Sequence, residues 1–273
     1  DFPLNYKGFD WMCNGDVEGW KKFVWATKAR LYNHLTKKTA GEWKYDPDKV
    51  LSCIDKTIQS NEENLTFEYP PTTDVNRMCA HGATATDNVF SELYVDYLKG
   101  KHIGGVPDPR LGVLVAPIRN AARDTSIVEL ETPVTVGGVT HTHDTVITYQ
   151  EGEYIDGVLY RGLPAGREVN EPQIRLISVH SLPDTPNDTT ERNASADDFS
   201  WCEDKSFYHQ DFTPWTYFSN HEMRFIEAEA AYHKGDMNRA FEAYKKGIEA
   251  HMQVVGVPDD KIKEHLENTA IVP

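Results

Sequence analysis

Apolar residues recur at three- and four-residue steps between residues 16 and 38. Trp20, Phe23, Val24, Thr27, Leu31 and Leu35 fall in that pattern, which predicts an amphipathic helix. Asp16, just after Asn14-Gly15, stands where an N-cap belongs. A second helix is expected to start at Asp46-Pro47, with the Asp as cap and the Pro in the first helical position. Its stripe is Val50, Leu51, Ile54 and Ile58, and a short polar link makes the two a helical hairpin over 14–62. The rhythm then fails. Pro, Thr, Asn and Gly crowd the stretch from Leu65 to Asp87, which reads as a loop. A third helix is expected over Asn88–Leu98, stopped by Gly100, and "GGVPDPRLG" (Gly104 to Gly112) forces turns. Between 127 and 180 the pattern alternates and is β-branched, with Gly137-Gly138 as a hairpin turn. Residues 183–214 are polar and acidic, broken by Pro183, Pro186 and Pro214, so 100–214 as a whole reads as a loop and β-rich insert.

Helical periodicity returns over 219–255. Ala228, Gly235, Ala240, Tyr244 and Gly247 fall where a tetratricopeptide unit of about 34 residues places small and aromatic residues. On this reading small side chains let two helices approach and Tyr244 fills the seam. Met252 stands where the pattern ends in Pro, and a generic helical hairpin fits the spacing equally well. A solenoid needs roughly three such units, and two good pairs are present. The fold class expected is mainly α, with tetratricopeptide-like hairpins, long irregular loops and a small β-hairpin region.

Charge narrows the partners. Lys plus Arg number 28 and Asp plus Glu 43, a net charge of −15. Such a surface repels phosphate backbones, so nucleic acid is a poor partner. Apolar runs are too short to span a membrane as a helix, and no secretory leader opens the chain. The first residue is not Met, which suggests a processed or truncated product. Cys13, Cys53, Cys79 and Cys202 have neither zinc-ribbon nor disulfide-scaffold spacing, although a single bridge is compatible with them.

Four stretches, in order, resemble one family. "WTYFSNHEMRFIEAEAAYHKGDMNRAFEAYKKGIEAHM" (Trp215 to Met252) is similar to the late helical region of SusD/RagB-type (SusD-like) proteins, with Phe225-Ile226-Glu227-Ala228-Glu229-Ala230-Ala231 matching closely and Asn220-His221-Glu222 less so. "NGDVEGWKKFVWATKARL" (Asn14 to Leu31) resembles an early family helix, with Trp25-Ala26-Thr27 in place of the usual Ala-Asn-Ser. "DPRL" (Asp108 to Leu111) and "YRGLPAG" (Tyr160 to Gly166) match its Asp-Pro-Arg turn and Gly-Leu-Pro-x-Gly loop. The family usually runs near twice this length. The resemblance therefore implies a single SusD-like domain over 1–273, the central or C-terminal part of a longer chain, with some apolar surface exposed where further helices pack. It also implies a lipid-anchored, surface-exposed protein of the Bacteroidetes outer membrane. Such a protein captures an oligosaccharide or other nutrient without catalysis and passes it to a SusC-like TonB-dependent transporter.

A sugar binder needs aromatic faces for the C–H side of a pyranose and polar groups for its hydroxyls. "FSWCEDKSFYHQDFTPWTYF" (Phe199 to Phe218) supplies Trp201, Phe207, Tyr208, Trp215 and Tyr217 among Asp198, Asp204 and Gln210. These rings either stack on ligand or seal the loop against the scaffold. Trp201, Phe207, Tyr208 and Trp215 are the glycan-binding candidates, with Trp43 and Tyr45 in the first hairpin's link as a second tier. Trp20 and Phe23 are assigned to the core. His141 and His143 in "THTHD" could chelate zinc, but no third ligand is identifiable, and a solvated strand face is the plainer reading. No cofactor is expected. The acidic loop could hold calcium through Asp184, Asp188, Asp197 or Asp198, yet it lacks EF-hand spacing. Two rivals stand beside glycan capture: a tetratricopeptide-type adaptor gripping a peptide, and a glycosidase, for which no carboxylate pair is singled out among the 43 acids.

Overall fold

The computed structural model describes residues 10–68, 89–102, 104–117, 134–136, 139–141, 160–166, 175–182, 185–193, 199–200, 202, 206–209 and 213–268. Contacts divide the chain into two compact units, one formed by 1–81 with 205–273 and the other by 82–204.

In the first unit, Asp caps start the helices. The Asp16 carboxylate accepts from the Glu18 and Gly19 amides, and α1 runs Val17–Asn33. Asp46 accepts from the Asp48 and Lys49 amides, and α2 runs Pro47–Ile54. Each cap satisfies amides that a helix start otherwise leaves unpaired. Ser219 caps α5 (Asn220–Lys234) through the Glu222 amide, and Asp236 caps α6 (Met237–Val254) through the Arg239 amide. Gly235, at φ 88°, ends α5 in the left-handed conformation that glycine adopts without a Cβ clash. A further helix, α7 (Asp259–Leu266), follows Pro258; it lies past the expected hairpin and carries Asp259 and Asp260 in its first turn.

α1 packs on α2 and α5, α2 on α5, and α5 on α6. The expected α2 stripe of Val50, Leu51, Ile54 and Ile58 is fully buried. The α1 pattern is corrected. Val24 and Leu31 are 49% and 57% exposed, while Ala26, Ala29 and Asn33 face the core. Small alanines let three helices approach closely, and that outweighs the size of the apolar residues on the opposite side. Trp20 and Phe23 are half-buried rather than core: the Trp20 indole donates to Asp10 at 2.8 Å, and Phe23 meets the Phe218 ring edge-on at 5.2 Å. The tetratricopeptide seam is also filled differently. Tyr244 stays partly exposed, and the Phe225 ring lies on Gly247, where a Cβ would come within 2.8 Å of it.

An ionic chain, buried at Arg224 and Glu227, ties the seam together. Arg224 donates to Glu227 (2.6 Å), Gln59 (3.1 Å) and the Ile58 carbonyl (3.2 Å), and Glu227 also accepts from Arg239 (2.7 Å), which reaches Asp55 (2.7 Å). Burial on this scale requires such pairing.

The expected loop from Leu65 begins as a strand. β1 (Leu65–Phe67) pairs antiparallel with β6 (Trp215–Phe218), in the register Leu65↔Phe218, Thr66↔Thr216 and Phe67↔Trp215. Tyr217 is the extra residue of a bulge in this ribbon.

In the second unit, α3 spans Glu92–Leu98, capped by Ser91 rather than starting at Asn88, and Gly100 follows it at φ 78°. The Gly162 backbone lies so close to Ser91 and Glu92 that a Cβ would sit 2.4 Å from them, which explains the glycine in "YRGLPAG". In "DPRL", Asp108 is buried and its carboxylate accepts from the Arg110 amide and guanidinium, closing the turn that precedes α4 (Leu111–Leu114). β2 (Val134–Val136) and β3 (Val139–His141) form the hairpin expected around Gly137-Gly138. The expectation of an irregular acidic stretch from 183 is corrected in part. Thr185–Asn193 is a strand, β5, paired with β4 (Arg175–Leu182). Three threonines favour the extended backbone, and Pro186 falls near the strand start, where a missing donor is tolerated.

Candidate functional site

The first unit carries an open cleft of about 820 Å³, within the usual size range of a small-ligand site. One wall is α5. Glu222, Phe225, Ile226 and Glu229 fall at i, i+3, i+4 and i+7, which brings all four to one helix face, and His221 stands beside them. The facing wall is β6, with Trp215, Thr216 and Tyr217. Trp215 and Tyr217 are 42% and 44% exposed, so both rings remain available. A short 3₁₀ turn at Phe207–His209 brings Phe207 and Tyr208 to the same cleft.

Arg30 of α1 locks the walls together. Its Nε and Nη2 donate to the two Glu222 oxygens at 2.6 and 2.7 Å, Nη2 also donates to the Tyr217 carbonyl at 2.7 Å, and the guanidinium lies 3.9 Å over the Phe218 ring. A bidentate fork of this kind fixes geometry as well as charge. Glu229 accepts from Asn33 at 2.7 Å through one oxygen, and its other oxygen lies 4.0 Å from His233. On the far side, Tyr208 Oη and His251 Nε2 are 3.1 Å apart, and the His221 and His251 rings meet at 4.9 Å. The Thr213 hydroxyl donates to the Phe207 carbonyl and closes the turn that carries both rings.

Three of the six sequence candidates, Phe207, Tyr208 and Trp215, therefore converge on one cleft. Trp215 stands on a strand, not on an irregular loop. Trp201 lies outside the described residues. Trp43 and Tyr45 stand elsewhere. Trp43 is 63% exposed beside a hollow of about 210 Å³, smaller than a typical ligand pocket. Tyr45 turns inward: its hydroxyl donates to Asn33 at 3.3 Å, its ring meets His233 at 5.4 Å, and burial together with the Glu229 charge pushes its hydroxyl up to about 12. A second cleft of about 580 Å³ between α6 and α7 is lined by Lys and Glu, with no aromatic ring among its described residues. Arg30, Glu222, Phe225 and Glu229 were not singled out in the sequence, although their helical spacing on α5 was a signal that could have found three of them.

Among the described residues no set of three His, Cys, Asp or Glu converges as metal ligands. His141 lies on β3 and Asp188 on β5, opposite His180. His143, Asp184, Asp197 and Asp198 lie outside the described residues, as does Cys79. Cys13 and Cys53 are free thiols.

No protein-family model and no curated protein matches the sequence. Solved structures do. A chitin-binding protein aligns with a TM-score of 0.60 at 21% identity, over 94% of this chain and 46% of its own. A SusD homologue from Bacteroides uniformis aligns with a TM-score of 0.59 at 16% identity, over 97% of this chain and 42% of its own. Another from Bacteroides fragilis gives 0.55 at 19% identity, over 96% and 47%. The fold, mainly helical with small two-stranded ribbons, is thus SusD-like. The chain spans less than half the length of each of these structures.

Proposed function

We propose that the cleft between α5 and β6 captures an oligosaccharide, without turning it over, at the outer membrane of a Bacteroidetes cell. The observation that carries this reading is the convergence of Tyr208, Trp215 and Tyr217 on one open cleft in a SusD-like fold, and a chitin-binding protein among the similar structures supports it. Exposed aromatic faces stack on the C–H face of a pyranose, while Thr216, Asn64 and Glu229 offer hydroxyl partners at the rim. Both Glu222 oxygens accept hydrogen bonds from Arg30, so this carboxylate serves as a strut and not as an acid for glycosidic cleavage. In the cell, a SusC-like TonB-dependent transporter would receive the captured glycan, and a lipid anchor on the full-length protein would hold it at the surface. Affinity of a single open cleft is weak, about micromolar.

Affinity gel electrophoresis against neutral, amino and acidic polysaccharides tests the reading. One glycan should retard the wild-type chain, and Trp215→Ala should lose that retardation while keeping the wild-type circular dichroism. Retardation that survives both Trp215→Ala and Tyr208→Ala would remove the cleft from consideration.

A further inference from the structure

The charges around the cleft carry a preference among glycans. Among the described residues that line it, Arg30 is the one permanent cation, and it is neutralised by the bidentate Glu222 pair. Glu229 is the other carboxylate on the lining. It is half-exposed, accepts from Asn33 through one oxygen, has His233 4.0 Å from the other, and among the described residues has no Lys or Arg bonded to it. The described lining therefore presents one compensated pair and one negative charge that no Lys or Arg neutralises. The same cleft is lined by Trp215, Tyr217 and Tyr208, whose ring quadrupoles attract cations. The chain's net charge of −15 adds a field that concentrates cations and repels anions.

We propose that the cleft prefers glycans bearing a protonated amine, of the glucosamine type, over N-acetylated and over uronate-bearing chains, with Glu229 receiving the ammonium. This rests on the reading of the cleft as a carbohydrate site. An ammonium gains a charge-assisted hydrogen bond to Glu229, and the aromatic lining of the same cleft favours its charge further. An N-acetyl group keeps only the stacking. A uronate meets Glu229 as a like charge and finds Arg30 already paired.

Isothermal titration calorimetry with three β-linked oligomers of equal length tests the preference: glucosamine, N-acetylglucosamine and a uronate, at a slightly acidic pH that keeps the amine protonated. The expected result is binding of the glucosamine chain about tenfold tighter than its N-acetyl counterpart, from one partly exposed ion pair plus a cation–π contact. The advantage should shrink in high salt. Glu229→Gln, which still accepts from Asn33, should bring the two affinities level. Glu222→Gln frees the Arg30 charge and should raise affinity for the uronate chain. Equal wild-type affinities for amine and N-acetyl chains, both lost in Trp215→Ala, would overturn the preference and leave the carbohydrate site standing. Failure of the wild-type chain to bind the glucosamine oligomer also overturns it, and the polysaccharide panel then decides the carbohydrate reading by itself.

Discussion

Two Trp-x-Tyr triplets in this chain share a spacing and have opposite fates. Trp215-Thr216-Tyr217 lies on β6, and both rings stay exposed on the cleft wall. Trp43-Lys44-Tyr45 lies in the link between α1 and α2, where Tyr45 folds inward against Asn33 and His233 and Trp43 is left alone at the surface. The backbone makes the difference. β6 is one of two strands in a ribbon, and its bulge leaves Tyr217 without a cross-strand partner, so its ring meets Phe23 only edge-on at 6.4 Å and both rings stay partly exposed. The link instead closes a turn, with the Tyr45 amide donating to the Lys38 carbonyl at 2.8 Å, and that turn aims the side chain at the helical seam. An aromatic pair stays available to a ligand only where the backbone keeps both rings out.

Substitutions in the two triplets should separate binding from stability. The largest stability effect expected is from Tyr45→Ala, a loss of about 2–3 kcal/mol for a half-buried ring, read by urea denaturation with glycan affinity unchanged per folded molecule. Trp215→Ala should do the reverse, weakening glycan binding by about tenfold while its denaturation midpoint holds. Tyr45→Phe keeps the ring and removes one hydrogen bond, so about 1 kcal/mol is expected in the same denaturation assay. Trp43→Ala should change stability by less than about 0.5 kcal/mol and leave affinity where it was. Acidification then checks that the frame, rather than either triplet, sets the response to pH. Burial pushes the Asp10 carboxyl up, but hydrogen bonds from the Cys13, Gly15 and Met12 amides and the Trp20 indole outweigh it and hold the group below its ordinary value. A depressed carboxyl stabilises the fold above its unfolded-state pKa, and that contribution is lost as pH falls through the folded one. The thermal midpoint should therefore be level above the carboxylate range and drop below it, by less in Asp10→Asn than in the wild type.

How much was legible follows the same logic. The α2 stripe was readable because Val50, Leu51 and Ile54 are bulky and share a face, and the caps were readable because Asp16 and Asp46 precede periodic runs. The α1 packing face was not, because alanines and an asparagine form it while its valines and leucine point to solvent. The β1–β6 ribbon escaped because its strands are three and four residues long and far apart in the chain. In the site, aromatic density pointed to Phe207, Tyr208 and Trp215. Arg30 gave no such sign, since a charged residue on a helix looks the same in sequence whether it meets water or a partner across the fold. The close match at Phe225-Ile226 concealed two roles: Ile226 fills the core, and Phe225 spreads over Gly247 at the cleft wall.

On the proposed function the β6 triplet, and not the α1–α2 link, meets the sugar. Indole N–H resonances report each tryptophan separately, so a nuclear magnetic resonance titration with the glycan that retards the chain tests it directly, with assignments from Trp215→Phe and Trp43→Phe. A saturating shift of the Trp215 indole and a silent Trp43 are expected. A shift confined to Trp43, with Trp215 unmoved at saturation, would contradict it.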